Sequence, residues 1–134
     1  MSGGSGTHAE AAIRLALGRD PDTRVFRNMV GAGWQGRVVG KTLDTITLGN
    51  ARHMHFGLAP GSADLIAIRR VVISPDMVGQ TIGVFGSIEV KSGGGKAEAD
   101  QTKWRDMMRA FGARAGVART PGDASAILDG EDVG

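Results

Sequence analysis

Asp64, Glu89, Lys91 and Gln101 are the residues of this 134-residue chain whose types and spacing could do chemistry. Asp64 follows Gly61-Ser62-Ala63, where the backbone leaves a turn and enters the apolar run to Ile73, and Glu89 and Lys91 close a second run that begins at Ile82. Alternation along a strand sets Glu89 and Lys91 on one face and Ile88 and Val90 on the other. The 25 positions from Asp64 to Glu89 fit two strands and a turn over Pro75 to Gly79. Antiparallel pairing of those strands would bring Asp64 beside Glu89. Two converging carboxylates repel unless something cationic joins them. A divalent ion is the economical answer: Mg²⁺ or Mn²⁺ takes hard oxygen ligands, and the chain has no cysteine to offer a softer one. Lys91 beside such an ion would orient or help deprotonate an attacking water and offset the charge growing on phosphorus. The chemistry this set points to is hydrolysis of a phosphodiester.

The elements that must position these groups follow from hydrophobic period and breakers. Thr7 is a good N-cap for a helix over His8 to Leu17, which Gly18 stops. Asp20-Pro21-Asp22 makes a turn, and Arg24 to Val30 suits a strand or a short helix equally. Short β-rich runs at Arg37 to Val39, Thr45 to Leu48 and His53 to Leu58 read as a meander, broken at Gly40-Lys41, Gly49-Asn50 and Ala59-Pro60-Gly61. Asp64 to Ile73 and Ile82 to Lys91 then form the central antiparallel pair, ended by Ser92-Gly-Gly-Gly95. A second helix is expected from about Ala97 to Phe111, with Trp104, Met107, Met108 and Phe111 on one stripe and Gly112 after it. Ala115 to Ala118 is a short buried strand, and Thr120-Pro121 opens a last helix with a cap and a proline at its first position.

Two further polar residues fall on inward-facing stripes. Gln101 precedes Trp104 by three and Met108 by seven, so it shares the packed face and wants a partner there or a bond to its own helix start. Glu10 stands in the same relation to Ile13 and Leu17, while Thr7-His-Ala-Glu10 also fits a capping box. Both readings stay open.

Composition bounds the rest. The length suits a single domain over 7–129, with a Gly/Ser leader at 1–6 outside the fold and an acidic tail at 130–134. Zero cysteines exclude a disulfide scaffold, a thiolate metal site and a cysteine nucleophile, and they suit a reducing cytoplasm. No apolar run reaches the ~20 residues of a membrane span, and the start lacks the parts of a signal peptide. All sixteen Lys and Arg lie in residues 1–120 beside ten carboxylates, whereas residues 121–134 hold four carboxylates and no cation. Such a basic body suits a polyanionic partner.

Gly61-Ser62-Ala63-Asp64, then Ile88-Glu89-Val90-Lys91, then Gln101 early in a helix resemble the core of the PD-(D/E)XK nucleases, and within them the virus-type replication-repair (VRR-Nuc) domains. The resemblance covers essentially residues 8–120 and departs where Ser-Ala-Asp stands for the Pro-Asp of the superfamily name. It implies an α/β fold with a restriction-endonuclease-like α-β-β-β-α-β core, a mixed central sheet flanked by helices. It also implies Mg²⁺- or Mn²⁺-dependent cleavage of DNA, with a preference for branched or Holliday-junction DNA in phage-type single-domain members, which often dimerise. A cytoplasmic setting, in a bacterial or phage-infected cell, would follow. On this resemblance Asp64, Glu89 and the Val90 carbonyl hold the metal, Lys91 acts on the water, Gln101 orients, and Glu10 supports a second ion. A catalytically silent DNA-binding module on the same fold, or an exonuclease acting at DNA ends, are the alternatives.

Arg24, Arg27, Arg37, Arg52, Lys96 and Lys103 are the cations expected to touch DNA, through its backbone and shape more than its bases. Three motifs are set aside. Gly31-x-Gly33-x-x-Gly36 matches a dinucleotide fingerprint by letter but leads into β-type residues, so it reads as a glycine-rich turn. Gly36 to Thr42 has one spacer too few for a phosphate-binding loop. His53-x-His55 puts two imidazoles on one side of a strand without a third ligand nearby.

Overall fold

The computed structural model describes residues 3–94 and 98–133, with side chains from residue 8 onward. Among them the chain is mixed α/β, in the order α1 (Gly3–Gly18), β1 (Thr23–Arg27), β2 (Gly31–Lys41), β3 (Ile46–Phe56), β4 (Leu65–Arg69), a 3₁₀ turn (Pro75–Met77), β5 (Gly86–Val90), α2 (Ala99–Ala110), β6 (Arg114–Ala118) and α3 (Pro121–Leu128). The strands pair two by two, β1 with β4, β2 with β3 and β5 with β6. No described helix is long and apolar enough to cross a membrane.

Strand pairing corrects the expected central pair. The second run supplies β5, which pairs in parallel with β6, from Gly86 opposite Arg114 to Val90 opposite Ala118. The first run supplies β4, which pairs with β1. Val71, Val72 and Ile73, expected to continue that strand, are exposed and outside any strand. β-branched residues favour strand only where a neighbour pairs with them, and here the chain turns away into the 3₁₀ segment.

The chain divides into two compact units, Val25–Ala67 and the remainder. The smaller is built on the β2–β3 hairpin, antiparallel from Gly31 opposite Phe56 to Lys41 opposite Ile46. The expected three-run meander is thus two long strands. Gly49-Asn50, expected as a turn, lies inside β3, where Asn50 takes the left-handed conformation (φ 52°) and β2 opposite shifts register between Gln35 and Arg37. The glycine-rich stretch expected as a turn is β2 itself. A Cβ on Gly31 would sit 2.9 Å from the Phe56 ring and one on Gly33 3.3 Å from it. These glycines are therefore a flat seat for an aromatic ring opposite, which is what their spacing reports.

In the larger unit, α2 and α3 pack on the β5–β6 pair. Met108 of α2 and Ile127 of α3 are fully buried, with Phe111, Ala113, Ala115, Val117 and Ala118 around them. Two such side chains contribute about 2–3 kcal/mol each by leaving water. A Cβ on Gly116 would lie 2.8 Å from Ile127, so α3 sits directly on bare β6 backbone. Thr120 caps α3 as expected, accepting from the Asp123 N–H at 3.1 Å with Pro121 at the first turn. The acidic tail is tied down through Val133: Val117 N–H donates to its carbonyl at 3.1 Å, and Arg109 pairs with Asp132 at 2.9 Å.

Helix α1 starts at Gly3, inside the stretch expected to be a leader, so Thr7 lies within the helix and the capping box read at Thr7 and Glu10 does not start it. Ile13, expected to face a core, is 49% exposed. The expected start of α2 at Ala97, like Lys96 and Gly95, lies outside the described residues.

Candidate active site

Glu89 and Lys91 alternate with Ile88 and Val90 on β5, as a strand demands, but the burial of the two faces is reversed from the usual order. Ser87, Glu89 and Lys91 are half-buried, while Ile88 and Val90 are 37% and 75% exposed. The cause is α2, whose Gln101, Trp104 and Arg105 line a cavity of about 20 Å³ together with Ser87 and Glu89 of β5 and Ala115 to Val117 of β6. That is room for about one water.

Gln101 does both of the things its position allowed. Its Oε1 accepts from the Glu98 N–H at 3.0 Å, completing a capping box at the start of α2, and its Nε2 donates to Glu89 Oε1 at 2.7 Å. Lys91 Nζ approaches the same Glu89 oxygen at 3.6 Å, with only 19% of its side chain exposed against 39% for Glu89. Both contacts fall on Oε1. Among the described residues Glu89 Oε2 therefore faces no protein donor, and a carboxylate held on one oxygen and open on the other is preorganised for a cation or a water. The Trp104 indole N–H donates to Ser87 Oγ at 2.7 Å and so fixes the next polar side chain along the face.

The backbone of β5 has two unlike edges. Arg114 N–H donates to the Phe85 carbonyl and Lys91 N–H to the Ala118 carbonyl, so the odd-numbered residues of β5 bond to β6. Backbone groups alternate sides along a strand, which turns the Val90 carbonyl to the opposite edge, where no described strand pairs.

Asp64 stands where the sequence sets it, at the mouth of β4. The antiparallel strand pairing that was to carry it to Glu89 is not formed; its carbonyl instead accepts from the Asn28 N–H at 2.8 Å. Asn28, which with Arg27 belongs to the stretch that resembles the family pattern before the β-rich runs, has a side-chain role that the sequence does not place. It is 9% exposed, its Nδ2 donates to Ser62 Oγ at 2.7 Å and the Ala63 carbonyl at 2.8 Å, and its Oδ1 accepts from the Leu58 N–H at 3.0 Å. One buried amide thus pins the loop that delivers Asp64. A lone Asn beside a β run was the available signal, since a buried amide needs partners on both ends.

Other expected residues are scattered. Glu10 is half-buried on α1. The guanidinium of Arg24 stacks on the Phe111 ring at 4.5 Å from its centroid, with that of Arg70 at 5.0 Å. Arg27 ends β1, exposed Arg37 lies on β2 and exposed Lys103 on α2, while Arg52 on β3 donates to Gln35 Oε1 at 3.2 Å. Ser87, Trp104 and Arg105 line the cavity without having been singled out in the sequence; Trp104 read there only as core.

The hard oxygens of a clamped carboxylate would suit a small divalent cation better than a soft metal, while the Lys91 ammonium beside Oε1 leaves Oε2 as the side from which a cation could approach. Among the described residues no group of three His, Cys, Asp or Glu side chains gathers at one point. No family model, curated protein or solved structure matches the chain.

Proposed function

We propose that the chain is a metal-dependent endonuclease that hydrolyses phosphodiester bonds in DNA, built on a PD-(D/E)XK core of the VRR-Nuc kind and selective for branched DNA such as Holliday junctions. The observation that carries the reading is the Glu89 carboxylate, held on Oε1 by Gln101 and Lys91 and open at Oε2. The succession of a helix, strands, then β5, α2 and β6 supports the restriction-endonuclease-like order.

In this reading Glu89 and the Val90 carbonyl hold Mg²⁺ or Mn²⁺. Asp64 enters from the sequence resemblance as the second carboxylate. A bound divalent ion would lower the pKa of water and neutralise a phosphate oxygen. The rest falls to the chain's own groups. Gln101 keeps the Glu89 carboxylate from turning, and Lys91, drawn toward it, presents an ammonium where negative charge grows on the phosphate. Symmetric cutting of a four-way junction needs two such sites, so the working unit is a homodimer.

The test is cleavage of a four-way junction, a flap, a linear duplex and a single strand, each with Mg²⁺ and with Mn²⁺, beside Lys91→Ala. Metal-dependent cutting of the branched substrates, lost in the variant while binding persists, is the expected result. Binding without cutting under every condition would leave a silent DNA-binding module, and mononucleotide products with no attack on closed circles would make the chain an exonuclease.

A further inference from the structure

The β2–β3 hairpin takes no part in that chemistry, yet it carries an unusual surface. Trp34 is 65% exposed and stands directly opposite His53 in the strand register. Its ring meets the His53 imidazole in a T-shaped contact at 5.0 Å, and His53 meets His55 in another at 4.9 Å. The three rings form a row along one face of the ribbon, with most of the indole surface left to solvent. On the other face the Phe56 ring, itself 49% exposed, lies against the bare backbone of Gly31 and Gly33.

Charge says what would cover the row. Residues 31–56 carry Arg37, Lys41 and Arg52 against the one carboxylate of Asp44. Asp44 lies in the turn, where the Thr42 hydroxyl donates to it at 3.2 Å, so both strands are free of acids. Arg37 and Arg52 alternate onto the face opposite Trp34, but the ribbon is only two strands wide, so their long arms can reach its edges, where the phosphates of a strand stacked on the indole would pass. A protein partner for an exposed apolar ribbon would be served as well by acids as by bases. A polyanion would not.

We infer that the β2–β3 hairpin is a binding platform for single-stranded DNA, with Trp34 stacking on an unpaired base and the ribbon's cations holding the flanking phosphates. Every base offers a π-face, so such a platform is tolerant of sequence, and it is closed to a duplex, whose bases are already stacked. The inference rests on the nucleic-acid half of the proposed function and not on its cleavage chemistry. It gives a preference for flaps and other branches with single-stranded arms a physical source, since these expose unpaired bases.

The experiment uses the full chain in EDTA, where nothing is cut. Titration with oligothymidylate is expected to quench part of the tryptophan emission saturably and to weaken as salt rises, while a blunt duplex of equal length leaves it unquenched. Trp34→Ala should lose the quench and bind the oligomer about tenfold more weakly by anisotropy, and Trp34→Phe should keep most of the affinity. Equal quenching by the duplex, or unchanged affinity in Trp34→Ala, overturns the inference. So does a Trp34-dependent blue shift that grows with protein concentration alone, which would give the ribbon to a second copy of the chain. Quenching by a protein that never cuts sinks the nuclease reading alone; cutting without quenching sinks this inference alone.

Discussion

Gln101 Nε2 lies 2.7 Å from Glu89 Oε1 while Gln101 Oε1 holds the Glu98 N–H, so one side chain both starts α2 and fixes a carboxylate on β5. The two duties separate by substitution. Gln101→Ala removes both bonds and is expected to cost about 1–2 kcal/mol in urea unfolding. Gln101→Glu keeps an acceptor for the helix start but sets a second negative charge against Glu89. It should unfold closer to wild type and still cut DNA at least about tenfold more slowly. Wild-type turnover in both variants would mean that Glu89 needs no such hold.

Lys91→Ala should lower the single-turnover cleavage rate by about 10²–10⁴-fold, the range that a positioned ionisable group contributes. DNA affinity in EDTA should change by less than about threefold, because one half-buried ammonium is a small part of a backbone-binding surface. A variant that loses binding and cutting in equal measure would place Lys91 among the DNA contacts.

Asn28→Ala removes three hydrogen bonds from a buried amide and leaves the Ala63 carbonyl and the Leu58 N–H without that partner. A loss of about 2–4 kcal/mol in urea unfolding is expected. Asn28→Asp is the sharper probe: it retains the acceptor for Leu58 but turns the donor toward Ser62 and Ala63 into a second acceptor. If Asp64 serves the chemistry, cutting by the folded fraction falls with the loop that carries it. Full activity in a variant whose loop has loosened would remove Asp64 from the site.

Gly116→Ala tests the close seating of α3. The added Cβ would meet the Val133 carbonyl at 2.5 Å and Ile127 at 2.8 Å. Overpacking of this kind costs about 1–3 kcal/mol. A melting temperature equal to wild type would show that the tail and α3 give way freely.

Asp20 offers a pH-dependent check. The Asp22 N–H donates to its Oδ1 at 2.9 Å, the Thr23 hydroxyl to its Oδ2 at 2.8 Å, and Arg69 lies 3.4 Å away. These hold its carboxyl below the usual aspartate range, the backbone bond foremost. A carboxyl depressed in the folded state stabilises the fold fully above its unfolded value, and that gain is lost as pH falls through the folded one. The stability difference between wild type and Asp20→Asn should therefore be constant above about pH 5 and shrink below about pH 4. A difference that grows on acidification would contradict this.

Much of the larger unit was legible from local signals alone. Thr120-Pro121, the Met108 and Phe111 end of the α2 stripe (Trp104, at its start, is exposed), the Ala115 to Ala118 strand and the alternation of Glu89 with Val90 each follow from a period or a cap spanning a few residues. Partner choice was not. Val71 to Ile73 read as strand because β-branched side chains signal a strand whatever lies beside them, whereas the pairing of β4 with β1 depends on residues about 40 positions apart. The role of Asn28 was invisible for the same reason, since its partners at 58, 62 and 63 are remote in sequence. Gly31 and Gly33 misled in another way. Glycine spacing announces a close approach without saying to what, and here the guest is Phe56 and not a phosphate.

The clasp of Val133 on Val117 has an effect on the solution behaviour of the protein. Ladder groups left bare along the rim of a sheet invite any extended peptide to zip onto them. At Val117 the Val133 carbonyl occupies that rim, so trimming back to Gly130 would uncover a further sticky selvedge and make the sample prone to clump.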